Sequence, residues 1–270
     1  MGDKNKTIEE NIENEQDGYT SVLKLCGITK AKVNEIAGEF LNENGNPSSE
    51  IITEYDEAQE LELRLYSVPE GELSAKKVMK PVLKELKNIL GENIYAIDSD
   101  RTLEEEVVEL LKTNNLTICT AESATGGLFT ARLVNVPGVS AVLKQGFITY
   151  TNKAKRKYLG VKKLSLLKET AASEKVAKEM VKGACASTKA DCGISITGLA
   201  GPDGGDEKHP VGQIFVGCMV LGNIYVKEYN LKGDRNQVRQ QTVSCALSFL
   251  RHNMLKYFAD TNFGGKSDKK

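Results

Sequence analysis

Apolar residues recur along this chain with two periods, one of about 3.6 and one of about 2, and the switches between them mark its elements. Residues 1 to about 18 carry neither. They are rich in Asn, Glu and Asp with almost no large apolar side chain, which predicts a flexible lead-in over 1–18. From Ser21 the pattern turns globular. Thr29 is placed to cap a helix with Val33, Ile36, Ala37, Phe40 and Leu41 on one face, closed by Asn44 and Gly45 ahead of Pro47. Glu60 to Val68 alternates apolar and charged residues, as a strand with one wet face does. Leu73 to Leu90 returns to helical spacing, and Ile94 to Ile97 predicts a short strand. Helix, strand, helix and strand compose a small α+β domain over 19–98. It shows no cluster of chemically active side chains and reads as a structural or oligomerising module.

A second domain, expected over 101–260, opens with a capping box: Thr102 and Glu105 precede an apolar stripe of Leu103, Val107, Leu110 and Leu111. The boundary is therefore set near Asp98 to Arg101. The pattern then predicts a strand over Leu116 to Ala121, a helix from about Thr125, a strand over Gly146 to Tyr150 and a helix over Ser173 to Thr188. Strands follow over Cys192 to Ile196, Gly212 to Leu221 and Asn223 to Leu231, and then a long helix over Arg235 to Phe258. The fold class is α/β, a layered α/β/α domain preceded by a small α+β domain. The Gly- and Lys-rich tail, 261–270, is expected to fray.

Composition changes this picture little. Of 270 residues 40% are hydrophobic and 27% charged, and the net charge is -1, which excludes a disordered or fibrous chain. No run reaches the ~18 apolar residues of a membrane span, and the N-terminus is polar where a signal peptide is apolar, so a cytoplasmic location is expected. Cys26, Cys119, Cys185, Cys192, Cys218 and Cys245 form no C-x-x-C pair and lie mostly in apolar segments, which predicts reduced core thiols and no metal site. Near-neutral charge argues against a broad nucleic-acid footprint, and no direct nucleic-acid partner is expected.

Three segments carry candidate chemistry, each at the end of a predicted strand, where open α/β sheets place ligand crevices. In TAESATGG, a strand delivers Glu122, Ser123 and Thr125 to a turn where Gly126 and Gly127 let backbone approach a ligand. Ser123 or Thr125 could equally be the N-cap of the next helix. In GFITYTNKAKRKYLGV, Asn152 is placed to cap a helix that presents Lys153 and Lys155, residues that on a short helix are usually solvated. SITGLAGPDGG, with four glycines and Pro202 after Thr197, predicts a long loop. Neither His209 nor His252 sits in a motif, so a lysine base beside Ser123 fits nucleophilic catalysis better than a Ser-His-Asp arrangement. Such a lysine must be shielded from water.

Taken together, in this order and spacing, these segments resemble the competence/damage-inducible CinA family. Its E-S-C-T-G-G turn reads ESATGG from Glu122, its P-G-S-S-A stretch PGVSA from Pro137, and its G-F-V-T-Y-S-N-E-A-K segment GFITYTNKAK from Gly146. Its G-A-V-S-E helix start reads TAASE from Thr170, its T-G-I-A-G-P-x-G-G loop TGLAGPDGG from Thr197, and its K-P-V-G KHPVG from Lys208; GDR from Gly233 also matches. The resemblance covers residues 101–258. KLCGITKAKVNEIAGEFL is similar to a helix of the family's middle domain. The family's large N-terminal domain, related to molybdopterin-binding folds, has no counterpart in this sequence, and its activity is not carried over.

The resemblance implies a nicotinamide-nucleotide amidase that turns nicotinamide mononucleotide into nicotinic acid mononucleotide and ammonia in pyridine nucleotide salvage, with no cofactor. It assigns a serine nucleophile, a lysine base and supporting tyrosine and threonine, which fall on Ser123, Lys155, Tyr150 and Thr197. Backbone N–H groups near Gly126 would steady the oxyanion. Glu122, Thr125, Gly126, Gly127, Gly198, Gly201 and Arg235 are the expected substrate-binding residues, Arg235 or the glycine turns taking the phosphate and a carboxylate or Tyr150 the cationic ring. A homodimer is also implied. The chain departs from the pattern at Ala124, Val139 and Thr151, expected to lie behind the site, and at Lys153, which could perturb Lys155. A nonenzymatic module that binds a nucleotide or partner in a competence or DNA-damage response is the alternative reading.

Overall fold

A computed structural model describes residues 18–43, 47–53 and 59–264, the side chains of 43 and 262–264 excepted. The expected lead-in and the Asn44–Gly45 helix end lie outside these residues, apart from Gly18. The chain divides into two compact units, Met1–Arg101 and Thr102–Lys270. No helix among the described residues is long and apolar enough to cross a membrane.

The first unit runs β1 (Tyr19–Cys26), α1 (Lys30–Glu43), β2 (Ser48–Ile52), β3 (Glu60–Ser67), α2 (Ala75–Leu90) and β4 (Ile94–Ile97). Its antiparallel sheet has the order β2-β3-β1-β4, a split βαβ arrangement. Leu23, Leu25, Leu61, Leu63 and Leu65 bury one sheet face against Val33, Ala37 and Leu41 of α1 and Met79, Val82, Leu86 and Leu90 of α2. Helix-strand-helix-strand reading of this unit thus missed two strands, one of them central. Leu23 and Leu25 do alternate with Lys24, but the apolar Val22 and Cys26 on either side blur the period. β2, SSEII, has too few apolar residues to show a period.

The second unit runs α3 (Leu103–Thr113), β5 (Ile118–Glu122), α4 (Leu128–Val134), β6 (Leu143–Ile148), α5 (Asn152–Leu159), α6 (Lys163–Lys168), α7 (Glu174–Thr188), β7 (Cys192–Gly198), β8 (Gln213–Val220), β9 (Asn223–Asn230) and α8 (Arg235–Gly264). The sheet order is β6-β5-β7-β8-β9, with β5 parallel to β6 and β7 and the β7-β8-β9 edge antiparallel. Helix α7 covers one face with α5 and α6 beside it, while α3, α4 and α8 cover the other, giving the expected three layers. Thr102 and Glu105 form the predicted capping box at α3. The sequence pattern missed α6, and α8 runs on to Gly264 into the stretch expected to fray.

Candidate active site

The parallel pairing of β5 with β6 and β7 brings three strand ends together, and the alternation along β5 decides what each residue at its end can do. Cys119 and Ala121 pack into the core under α7, whereas Thr120, facing the other way, hydrogen-bonds Thr130 of α4 at 2.6 Å. Glu122 follows Thr120 and Ser123 follows Ala121. The Glu122 carboxylate, fully buried, accepts from the Thr125 hydroxyl at 2.6 Å, from the N–H groups of Gly127, Phe129 and Thr130 at 2.9, 3.1 and 2.8 Å, and from the Thr130 hydroxyl at 2.6 Å. It is the anion at the N-terminus of α4, where free N–H groups and the helix dipole favour negative charge. The N-cap position itself is Gly127 at φ 99°, a conformation that glycine adopts without strain, so neither Ser123 nor Thr125 is the cap.

Ser123 is thereby left free on the α7 side, 8% exposed. Lys155 approaches it from α5, with its Nζ 2.7 Å from Ser123 Oγ. The helix is capped by Thr151, whose hydroxyl accepts from Ala154 N–H at 3.1 Å, and not by Asn152 as the sequence had indicated. Lys155 is 1% exposed, and its Nζ donates to the carbonyls of Thr149 at 2.9 Å and Tyr150 at 3.5 Å. No carboxylate pairs with it among the described residues. Burial alone pulls its pKa down to about 8. Lys153 is exposed and is not a cause of that shift.

The depth of α5 is set by α7. A Cβ at Gly183 would lie 1.8 Å from the Leu159 carbonyl oxygen, so the two helices meet backbone to backbone one turn beyond Lys155. On β7, Thr197 follows Ile196, the partner of Glu122, and so lies beside Ser123, one residue before the strand ends at Gly198. Its hydroxyl donates to the Ala171 carbonyl at 2.7 Å, which leaves the oxygen's lone pairs to accept. Arg235, at the start of α8, donates to the Gly201 carbonyl and, at 3.3 Å, to the Tyr150 hydroxyl.

A cavity of about 280 Å³ collects Ser123, Tyr150, Lys155, Thr197, Gly198, Gly201 and Arg235 along its wall. Glu122, Thr125, Gly126 and Gly127 are not among its lining residues. Glu122 and the glycines instead shape the turn, and the Thr125 carbonyl accepts from Arg239 at 2.8 Å. The N–H groups of Gly126 and Gly127 are also spent, on the Ser123 carbonyl at 3.1 Å and on Glu122, and so cannot face an oxyanion. Those of Ala124 and Thr125 carry no hydrogen bond within the described residues. Tyr150 is 62% exposed, and its hydroxyl bonds neither Ser123 nor Lys155.

Sequence reasoning missed Ala124, which lines the cavity beside the serine, and Asp203, the carboxylate in its wall. Ala124 had been expected to lie behind the site; Val139 is buried in a 3-10 turn, and Thr151 caps α5. Asp203 occupies the variable position of the G-P-x-G-G pattern, which gave no reason to single it out. All six cysteines are buried thiols.

Residues 100–254 match the CinA C-terminal domain, and residues 20–96 match the damage-inducible protein CinA KH domain. Competence-damage inducible relatives from Clostridium novyi and Clostridium tetani are both 42% identical to this chain. The matches cover 88% and 87% of this chain and 56% and 57% of the relatives, so the chain spans a little over half their length. Among solved structures, the competence/damage inducible protein CihA from Agrobacterium tumefaciens is 37% identical with a TM-score of 0.54, covering 55% of this chain and 91% of that one. A CinA superfamily protein from Klebsiella pneumoniae is 31% identical with a TM-score of 0.56, covering 57% and 96%. Because the match to the CinA C-terminal domain spans more than half of its length, this chain belongs to the CinA family.

Proposed function

We propose that the second unit is a nicotinamide-nucleotide amidase, hydrolysing the carboxamide of nicotinamide mononucleotide to the carboxylate and ammonia. The observation that carries this reading is the 2.7 Å contact between Lys155 Nζ and Ser123 Oγ in a buried setting with no carboxylate to hold the amine charged. With a pKa of about 8, roughly one-tenth of Lys155 is neutral at pH 7. A neutral amine has two N–H groups and one lone pair. The carbonyls of Thr149 and Tyr150 can take the N–H groups, which turns the lone pair toward the serine hydroxyl.

Lys155 removes the Ser123 proton as Oγ attacks the carboxamide carbon. The oxyanion that forms can be met by the unoccupied N–H groups of Ala124 and Thr125. Protonated Lys155 then gives its proton to the departing nitrogen, and the C–N bond breaks to release ammonia. Water attacks the resulting acyl-enzyme, its proton passes to Lys155 and on to Ser123 Oγ, and the carboxylate leaves. Thr197, its own proton committed to Ala171, can accept from the substrate's amide N–H. Arg235 and Asp203, both in the cavity wall, are the groups we assign to the phosphate and to the cationic ring. Tyr150 borders the site without a proton-transfer contact, and its exposed ring suits stacking against the substrate.

The test is ammonia release from nicotinamide mononucleotide by the purified chain, alongside Ser123→Ala and Lys155→Ala. Turnover by the unaltered chain and its loss in both variants is expected, by about 10³-fold or more. Full turnover by Ser123→Ala would refute the mechanism, and tight nucleotide binding without turnover by the unaltered chain would favour the nonenzymatic reading.

A further inference from the structure

The hydroxyl of Thr149 is buried and has no hydrogen-bond partner among the described residues, although it sits in the residue whose carbonyl already holds Lys155. Thr149 is 1% exposed. A valine would fill the same volume without an unpaired oxygen, so a threonine there needs a use.

Its place in the sheet supplies one. The Thr149 N–H donates to the Glu122 carbonyl at 2.8 Å, extending the β5–β6 ladder by one step and setting Thr149 beside Ser123. Phe147, two residues earlier, packs into the core under α7, so the alternation puts the Thr149 side chain on that same face, where Ser123 and Lys155 meet. Protonated Lys155 has three N–H groups. Ser123 Oγ and the Thr149 carbonyl hold two of them at 2.7 and 2.9 Å, and the Tyr150 carbonyl is a long third at 3.5 Å. When Ser123 is acylated its oxygen becomes an ester oxygen, a poor acceptor, so the ammonium that re-forms when attacking water passes its proton to Lys155 lacks its shortest contact.

We propose that the Thr149 hydroxyl then takes over the N–H that Ser123 gives up, making Thr149 a positioning residue for Lys155 in the acyl-enzyme. This rests on the Ser-Lys reading of the site. The hydroxyl accepts from the ammonium and thereby stabilises the charged amine; its loss makes Lys155 easier to deprotonate. Other ionisable groups around Lys155 are Tyr150, Asp203 and Arg235 in the cavity wall, and Lys153, Arg156 and Lys157 on α5. On α7, the helix packed against α5, Glu179 accepts from Lys162 N–H and the Ser165 hydroxyl at 2.9 and 2.8 Å. None of these pairs with Nζ among the described residues, so the Thr149 effect is read against a constant background.

Ser123→Ala reproduces the loss of the serine acceptor without needing turnover. The Lys155 titration is followed by 13C NMR of labelled lysine side chains, the buried resonance being assigned with Lys155→Met, in Ser123→Ala and in Ser123→Ala/Thr149→Val. The double variant is expected to titrate at least half a pH unit lower, about a threefold change in the ionisation constant, and Ser123→Ala/Thr149→Ser to stay with the parent. In the chain with Ser123 intact, Thr149→Val should move the rising limb of the kcat–pH profile in the same direction while the melting temperature holds or rises. Coincident Lys155 titrations in the parent and Thr149→Val backgrounds would overturn the proposal. Failure of the unaltered chain to release ammonia would instead remove the amidase reading and leave the titration result standing.

Discussion

At the scale of the residue, the proposed chemistry turns on how Lys155 can be a base at all. An amine this well buried has exchanged water for two carbonyls and one hydroxyl, and no carboxylate pairs with it among the described residues. Its protonated form is the disfavoured one, which is why its pKa falls to about 8. Activity should follow: kcat/KM is expected to rise about tenfold per pH unit below pH 8 and to level above it, measured by ammonia release. The same burial costs stability. Between about pH 8 and the ordinary lysine value the unfolded chain binds a proton that the folded chain does not, so stability rises with pH across that window. Lys155→Met removes the penalty. Denaturant unfolding should show the variant gaining on the parent by on the order of 2 kcal/mol below pH 8, with the gain shrinking toward pH 10.5. Equal pH slopes for the two proteins would contradict this account.

At the scale of the element, the turn after β5 is organised by a side chain that the sequence had suggested for substrate. Glu122 stands beside the proposed nucleophile in the chain, and only the two-residue period of the strand separates them onto opposite faces. That β5 would carry functional groups to its end was legible from the buried run ahead of ESATGG. Which neighbour would face the cavity was not, because the alternation from Cys119 to Glu122 is only four residues long and every residue of the strand is buried. The cap of α5 was hard to read for a related reason: Thr151 and Asn152 are both good caps, and the sequence offers no way to choose. Deleting the carboxylate in Glu122→Ala would leave two hydroxyls and three N–H groups at the start of α4 without their acceptor. A loss on the order of 4 kcal/mol is expected, read as a lower melting temperature with activity falling at temperatures where the chain is still folded.

At the scale of the molecule, each unit closes its own core, and the cavity is lined by residues of the second unit alone. The solved relatives match a little over half of this chain while being covered almost completely. Residues 102–270 produced alone should therefore fold cooperatively and release ammonia from nicotinamide mononucleotide with a kcat/KM within about threefold of the full chain. A tenfold deficit would assign the first unit a part in the reaction. The layered α/β/α plan was open to sequence reasoning because apolar runs such as those of β5 and β8 alternate with striped helices such as α3 and α7. The six-element first unit was not, since β1 alternates cleanly only from Leu23 to Leu25 and β2 is too short and polar to show a period.

The meeting of Gly183 with the Leu159 carbonyl makes the reach of the base a matter of clearance between two main chains. Most active-site distances can be retuned by trading one side chain for another, but here the stop is the backbone itself. The serine and lysine cannot be drawn together by further tightening of α5 onto α7, and they can be pushed apart by a single methyl group. Position 183 is a spacer set at zero thickness: Gly183→Ala and Gly183→Ser should lift α5 in increasing steps and lower turnover in the same order, although neither atom touches substrate.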